Sequence, residues 1–163
     1  MILTGGLLLM AVLAPGLSSM AQAAGAAAPA GYDAKRDPAA DVRAAVQVAR
    51  KSGQRILLEV GGEWCNWCHV LHDLMTGDKE VGARLHEGFI LVKVNWSPEN
   101  ENTAFLNAYP PISAYPHFFV LDSNGTYLWS QSSDDFVQGT SYDRTKLLAF
   151  LKKWSPASPQ KKK

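Results

Sequence analysis

Helical and strand-like spacings of hydrophobic residues alternate along the chain from residue 37 to residue 154. Asp37-Pro38 combines a capping residue with proline at the first helical position, and apolar residues then recur at helical spacing up to Gly53. Arg55 to Val60 is a short apolar run between glycines, which is typical of a buried central strand. The pattern therefore predicts a helix that leads directly into a strand.

The rest of this region continues the alternation. A helix is predicted from the residues that follow Trp64, and Asp78 caps a further turn or two through Leu85. The later elements are predicted as strand 89–94, helix 98–108, strand 117–121, hairpin turn 123–126 at Asn124-Gly125, strand 127–130 and helix 142–154. This order predicts an α/β protein with a mixed central sheet flanked by helices on both faces.

The amino-terminal part of the chain has a different character. An apolar run of about a dozen residues, Ile2 to Leu13, is too short for a bilayer span, which needs about 20. Ala21-Gln22-Ala23 has the small side chains that signal peptidase accepts. We predict a signal peptide over 1–23 and hence a periplasmic or otherwise extracytoplasmic protein. Because no Lys or Arg precedes the apolar run, an uncleaved amino-terminal anchor is the alternative.

Three further segments complete the predicted organisation. Residues 24–36 are rich in Ala and Gly at their start and are predicted to be a flexible lead, residues 37–154 a single domain, and residues 155–163 a disordered tail. The formal net charge of +1 gives no strong field of either sign, so nucleic acid is not an expected partner. We expect the protein to act as a monomer.

The chain has two cysteines, Cys65 and Cys68, three positions apart. A disulfide between such near neighbours closes a very small loop and removes little chain entropy, so chemistry is a better explanation than stabilisation. A cysteine at a helix amino terminus is favoured as the thiolate, and a second cysteine one turn later can resolve a mixed disulfide. The spacing predicts Cys65 as nucleophile and Cys68 as resolving thiol.

The segment Ile56 to Cys65, with Trp64 directly before the cysteine, resembles the strand that delivers the active site in the thioredoxin superfamily. The resemblance extends from about Asp37 to Trp154 and implies a thioredoxin fold. It also implies that Glu59, where the family has Asp, is the buried carboxylate that moves the proton of the resolving cysteine, with Lys93 as its neighbour. Burial is expected to raise the pKa of such a carboxyl group.

Tyr115-Pro116 resembles the second signature of this family, a cis-proline that faces the cysteines. The resemblance implies that Pro116 belongs to the catalytic centre and that Tyr115 lines the groove for a peptide substrate. Trp64 and Trp67 are predicted to contact partners as well.

The motif Trp64-Cys65-Asn66-Trp67-Cys68-His69 resembles a W-C-x-W-C-H branch of extracytoplasmic thioredoxin-like proteins. The resemblance implies a thiol–disulfide oxidoreductase without metal or organic cofactor, which exchanges disulfides with cysteine-containing exported proteins. It also implies a redox partner, either membrane-embedded or soluble. Reduction, oxidation and isomerisation all remain open as the direction of the reaction.

Three other interpretations of the motif remain open. Cys65 to His69 matches the C-x-x-C-H pattern of c-type haem attachment. Cys65, Cys68, His69 and His72 offer ligands for zinc, although four ligands so close together would strain a tetrahedral site. The fold could also serve as a non-catalytic peptide-binding module. His69 itself is expected to be a helix-surface residue.

Overall fold

The computed structural model describes residues 31–157. The predicted signal peptide, the lead up to residue 30 and the tail from residue 158 lie outside the described residues. The elements in chain order are α1 Pro38–Ser52, β1 Arg55–Gly61, α2 Asn66–Gly77, α3 Lys79–Gly88, β2 Phe89–Asn95, α4 Thr103–Leu106, β3 His117–Leu121, β4 Tyr127–Ser132, a 3-10 helix Ser133–Phe136, β5 Val137–Gln138, β6 Ser141–Tyr142 and α5 Arg144–Trp154.

Four strands form a mixed sheet in the order β2-β1-β3-β4. β1 runs parallel to β2 and antiparallel to β3, and β4 pairs antiparallel with β3. The predicted hairpin turn between β3 and β4 is present, with Gly125 at a φ of 88° and Asp122 accepting the backbone N–H groups of Asn124 and Thr126. The mixed sheet predicted from the sequence is confirmed.

Helices cover both faces of this sheet, because successive side chains of a buried strand point to opposite sides. Leu57 of β1 and Phe118 of β3 pack on one face in a cluster with residues of α2, α3 and α5. Leu58 and Phe119, the next residues along the same strands, pack on the other face with residues of α1 and α4. β1 is therefore buried on both sides, and its carboxyl end leads directly to the cysteines.

The predicted helix 98–108 is wrong, since only the turn Thr103–Leu106 is helical. Side-chain amides bind the backbone of the preceding segment and favour a compact turn over a helix. Asn95 donates to the carbonyl of Asn100 at 3.0 Å, and Asn102 donates to the carbonyl of Asn95 at 2.7 Å. Asn102 adopts a left-handed φ of 49°, which marks the start of the short helix.

The remaining elements differ from prediction at their ends. α3 is a full helix that continues to Gly88, β4 continues to Ser132, and α5 begins at Arg144 after Asp143 as its amino-terminal cap. Tyr142 belongs instead to the two-residue strand β6, which pairs with β5. Elements this short carry no hydrophobic period that a sequence pattern can show. Within residues 31–157, none of the helices is long and apolar enough to cross a membrane.

Candidate active site

Cys65 and Cys68 form a disulfide at the amino terminus of α2. Cys65 is the capping residue, with an extended backbone, and its sulfur accepts the backbone N–H of Cys68 at 3.2 Å. The unpaired N–H groups of the first helical turn and the helix dipole favour negative charge at this sulfur when the disulfide is open. The structure thus places Cys65 at the helix amino terminus, as the sequence predicted.

Both sulfur-bearing residues are buried to different degrees. Cys65 is 4% exposed and Cys68 is 1% exposed, so both residues are buried in the disulfide form. His69 is exposed on the surface of α2, as predicted, and its Nε2 lies 2.8 Å from the carbonyl oxygen of Glu63.

Glu59 and Lys93 face each other beneath the cysteines, since they are paired in the parallel register of β1 and β2. Both side chains are buried, and Nζ of Lys93 lies 3.8 Å from Oε1 of Glu59. Burial raises the pKa of the Glu59 carboxyl, and the charge of Lys93 opposes part of that rise. Oε2 of Glu59 has no hydrogen-bond partner among the described residues.

Tyr32 is a residue of this site that the sequence reasoning missed, because it lies in the predicted lead. Its side chain is buried with the two cysteines, and its hydroxyl donates a 2.6 Å hydrogen bond to Oε1 of Glu59. Nζ of Lys93 lies 4.7 Å from the centre of the Tyr32 ring. The single aromatic residue of an otherwise Ala- and Gly-rich segment was the only signal available in the sequence.

Gly61, the last residue of β1, leaves the space in which these groups meet. A Cβ atom at this position would lie 2.5 Å from Sγ of Cys68 and 2.7 Å from the hydroxyl of Tyr32. Any larger residue would therefore displace Cys68 or Tyr32.

Pro116 is buried directly before β3, and the Tyr115-Pro116 peptide bond is cis, as the resemblance implied. Tyr115 is half-buried and packs against the cluster formed by Tyr32, Cys65 and Cys68. The structure thus brings the cis-proline segment and the cysteines together from distant parts of the chain.

An aromatic surface, formed by Trp64, Trp96 and Tyr115, borders the cysteines. Trp64 is 52% exposed, and its Nε1 donates to the carbonyl of Trp96 at 2.7 Å. Trp96 stacks on Tyr115 with ring centres 5.1 Å apart. Trp96 was missed by the sequence reasoning, although it directly follows β2, whose carboxyl end lies beside that of β1.

Trp67 differs from Trp64 in its surroundings. It is half-buried and makes an edge-on contact with Tyr142, with ring centres 5.3 Å apart. The hydroxyl of Tyr142 donates to the carbonyl oxygen of Trp67 at 3.3 Å. Trp67 therefore links α2 to β6, and its side chain also packs against the cluster of Tyr32, Cys65 and Cys68.

Metal ligation was one of the alternatives for this motif. Across residues 31–157, no group of three or more His, Cys, Asp or Glu residues is arranged to hold a metal ion. The groups that do converge are a dithiol pair in its disulfide form, a buried carboxyl, an ammonium group and a phenol. This set can exchange electron pairs between sulfurs and move the accompanying proton.

The sequence matches the family model of thioredoxin-like proteins over residues 37–123, which is more than half of the chain. Among solved structures, a disulphide isomerase from Xylella fastidiosa Temecula1 superimposes with a TM-score of 0.66 at 22% identity, over 75% of this chain and 94% of that one. The oxidised DsbD C-terminal domain from Neisseria meningitidis superimposes with a TM-score of 0.52 at 20% identity, over 72% and 96% of the two chains. These similarities confirm the predicted thioredoxin fold.

A curated relative, spermatogenesis-associated protein 20 from Homo sapiens, is 40% identical over 47 residues. The Mus musculus protein of the same name is 38% identical over 47 residues. In each case the match covers 29% of this chain and spans only 6% of the length of the relative. The similarity is therefore confined to a small part of those proteins.

Proposed function

Since the chain belongs to the thioredoxin-like family, we propose that it is a thiol–disulfide oxidoreductase that works through Cys65 and Cys68. One observation carries this proposal: the Cys65–Cys68 disulfide lies at the amino terminus of α2 with Tyr32 and the buried Glu59 beside it. A structural disulfide needs neither feature, whereas a helix terminus favours a reactive thiolate and a buried acid can accept a proton near neutral pH.

The proposed exchange proceeds in two balanced steps. The Cys65 thiolate attacks a partner disulfide, forming a mixed disulfide and releasing one partner sulfur as a thiolate. Cys68 then loses its proton to Glu59 and attacks Cys65, so that the Cys65–Cys68 bond forms and the second partner sulfur leaves with the electron pair. The partner gains two electrons and this protein loses two; the reverse sequence oxidises a partner dithiol.

The aromatic surface is the proposed docking site for the partner. Trp64 is the exposed residue next to the nucleophile, and Tyr115 presents the backbone that precedes the cis-proline. Aromatic rings provide large contact areas at low conformational cost, which suits the transient binding of varied peptides. Trp67, which is half-buried against Tyr142, contributes less to this surface.

The proposed partners are cysteine-containing exported proteins and a redox partner, membrane-embedded or soluble, that restores the working state. This part of the proposal is supported by the apolar segment at residues 2–13 and the Ala21-Gln22-Ala23 sequence. Similarity to the Neisseria meningitidis DsbD domain and the Xylella fastidiosa disulphide isomerase is consistent with disulfide chemistry. The reduction potential decides the direction of electron flow.

The first test is the reduction potential of the purified protein in a dithiothreitol series, with an absorption spectrum of the same sample. A two-electron transition is expected. A potential of about −270 mV would indicate a reductase and one of about −120 mV an oxidant. The absence of a transition would contradict the proposal in favour of a peptide-binding module, and a Soret band would favour haem attachment through Cys65-Asn66-Trp67-Cys68-His69.

Replacing Cys68 with Ala is expected to trap partners covalently. Without the resolving thiol, the mixed disulfide at Cys65 persists and appears on a non-reducing gel as a set of adducts that dithiothreitol removes. The matched control is Cys65→Ala, which keeps only the 1% exposed Cys68 and should form few adducts. Equal adduct formation by the two variants would contradict the assignment of Cys65 as nucleophile.

A further inference from the structure

The hydroxyl of Tyr32 binds Glu59 and shares the space over Gly61 with the sulfur of Cys68. It donates to Oε1 of Glu59 at 2.6 Å. It also lies over Gly61, where Sγ of Cys68 approaches the same point from α2. Glu59 and Gly61 are two residues apart on β1 and so face the same side of the sheet. The tyrosine hydroxyl is therefore hydrogen-bonded to an acid of β1 and lies near a sulfur of α2.

Tyr32 is held in this position by the segment around it. Its backbone N–H donates to Oε1 of Glu63 at 2.6 Å, and the carbonyl oxygen of Ala34 accepts a 2.7 Å hydrogen bond from Asn100. The ring is 8% exposed and lies beneath the ammonium group of Lys93. These hydrogen bonds and the packing under Lys93 fix the position of Tyr32 in the site.

A phenol in this position has the chemistry of a proton carrier. Its hydroxyl has one proton to donate and lone pairs to accept another. Burial, together with the neighbouring Glu59, raises the pKa of Tyr32 well above its ordinary value. The group therefore stays neutral and does not compete with Glu59 for a permanent charge.

We propose that Tyr32 relays the proton that passes between Cys68 and Glu59 during disulfide exchange. The inference rests on the function proposed above. As Cys68 becomes a thiolate, its proton moves to the oxygen of Tyr32 while the proton of Tyr32 moves to Oε1 of Glu59. The O–H of Glu59 then donates to Tyr32, and Tyr32 donates to the thiolate. One S–H bond is lost, one carboxyl O–H bond forms, and Tyr32 ends as it began.

The test is Tyr32→Phe, which removes the hydroxyl and keeps the ring that packs on the cysteines. The reduced protein is mixed with oxidised glutathione in a single turnover. Release of the second glutathione, which reports resolution of the mixed disulfide by Cys68, is followed at a series of pH values. Tyr32, Lys93 of β2 and His72 of α2 affect the pKa of the Glu59 carboxyl, and the charge of Glu59 in turn affects the pKa of Tyr142 of β6. The resolution rate is expected to fall at least about tenfold at neutral pH, and its rise with pH should move to higher pH because the carboxylate loses a donor.

Tyr109→Phe is the matched control, since Tyr109 is half-buried on the opposite face, where it stacks on Phe119. Its rate and pH profile should equal those of the wild type. The double variant Tyr32→Phe with Glu59→Gln should be no slower than Glu59→Gln alone, because two members of one relay act as a unit.

The outcomes separate the relay from the function on which it rests. A wild-type protein that releases no glutathione would contradict the oxidoreductase proposal itself. If the wild type is active and Glu59→Gln lowers the resolution rate but Tyr32→Phe does not, the relay alone would be overturned. A Tyr32→Phe variant that is less stable yet keeps the wild-type pH profile would show that the hydroxyl is only structural, and would also overturn it.

Discussion

At the scale of single residues, the surroundings of Glu59 act in opposite directions on the pKa of its carboxyl. Glu59 is completely buried, which raises the pKa of its carboxyl, whereas Lys93 and the Tyr32 hydroxyl stabilise its charged form. A carboxyl held in this balance can accept and return a proton closer to neutral pH than an exposed glutamate.

Replacing Glu59 with Gln should slow disulfide exchange at neutral pH by at least about tenfold, because the proposed acceptor of the Cys68 proton is lost. In the wild type the rate should rise with pH as Glu59 ionises, above the range of an ordinary glutamate. The variant should lack that rise and follow the ionisation of the cysteines alone. Single-turnover rates from pH 4 to pH 9 measure both effects.

Glu87→Gln serves as the control for this substitution, since Glu87 is exposed on α3. Its pH–rate profile should match that of the wild type. Glu59 would have no part in proton transfer if the Gln variant retained the wild-type profile.

At the scale of elements, Asp78 joins α2 to α3 and connects both to α5. Its Oδ1 accepts the backbone N–H groups of Glu80 and Val81 at 3.0 Å each, and so caps α3. Nε of Arg144, the first residue of α5, donates to Oδ2 at 2.6 Å. These contacts hold the helix that carries the cysteines in a fixed relation to the rest of that face.

Asp78→Asn keeps a capping oxygen and removes the charge, so it isolates the ion pair with Arg144. Hydrogen bonds from Arg144, and then from the backbone of Val81, lower the pKa of Asp78 from 3.8 to about 2. An acid whose pKa is lower in the folded state contributes stability above its unfolded pKa and loses it as the pH falls toward the folded value. The difference in free energy of unfolding between wild type and variant should therefore be largest at pH 5 and above. It should disappear as the pH falls from 3.8 to 2.

Urea unfolding at several pH values measures this gap. Asp73→Asn, at an exposed position of α2, is the matched control and should show no such closing. A gap for Asp78→Asn that stays constant down to pH 2 would mean that the charge of Asp78 contributes nothing to the folded state.

At the scale of the whole molecule, one sheet separates two hydrophobic cores. Leu57 and Leu58 are neighbours in β1, both fully buried, yet each belongs to a different core. The sheet is rigid because both faces are packed, and the site lies at the carboxyl ends of its two parallel strands.

Leu57→Ala and Leu58→Ala should each destabilise the protein by about 2–5 kcal/mol, since either leaves a cavity in a close-packed core. Leu148→Ala, at a half-buried position of α5, should cost clearly less. Chemical denaturation gives all three free energies of unfolding. If Leu57→Ala or Leu58→Ala lowered the free energy of unfolding no more than Leu148→Ala, the corresponding face of the sheet would not be a close-packed core.

The sequence by itself determined the features that arise from local patterns. The helix before β1, the strand that leads into Cys65-Cys68, and the Asn124-Gly125 turn all follow from hydrophobic period, capping residues and turn chemistry. The pairing of Glu59 with Lys93 and the cis bond before Pro116 were inferred from resemblance to the thioredoxin superfamily. The predicted helix 98–108 was wrong because side-chain hydrogen bonds from Asn95 and Asn102 overrode a weak helical pattern.

Tertiary structure alone decided which distant residues complete the site. Tyr32 reaches Glu59 across 27 positions of sequence, and Trp96 comes beside Trp64 because the parallel strands β1 and β2 end at the same edge. It also decided that Trp67 is partly used to pack against Tyr142. Hydrophobic period and spacing report only on neighbours along the chain, whereas these contacts depend on how separate elements pack, and packing is a property of the whole fold.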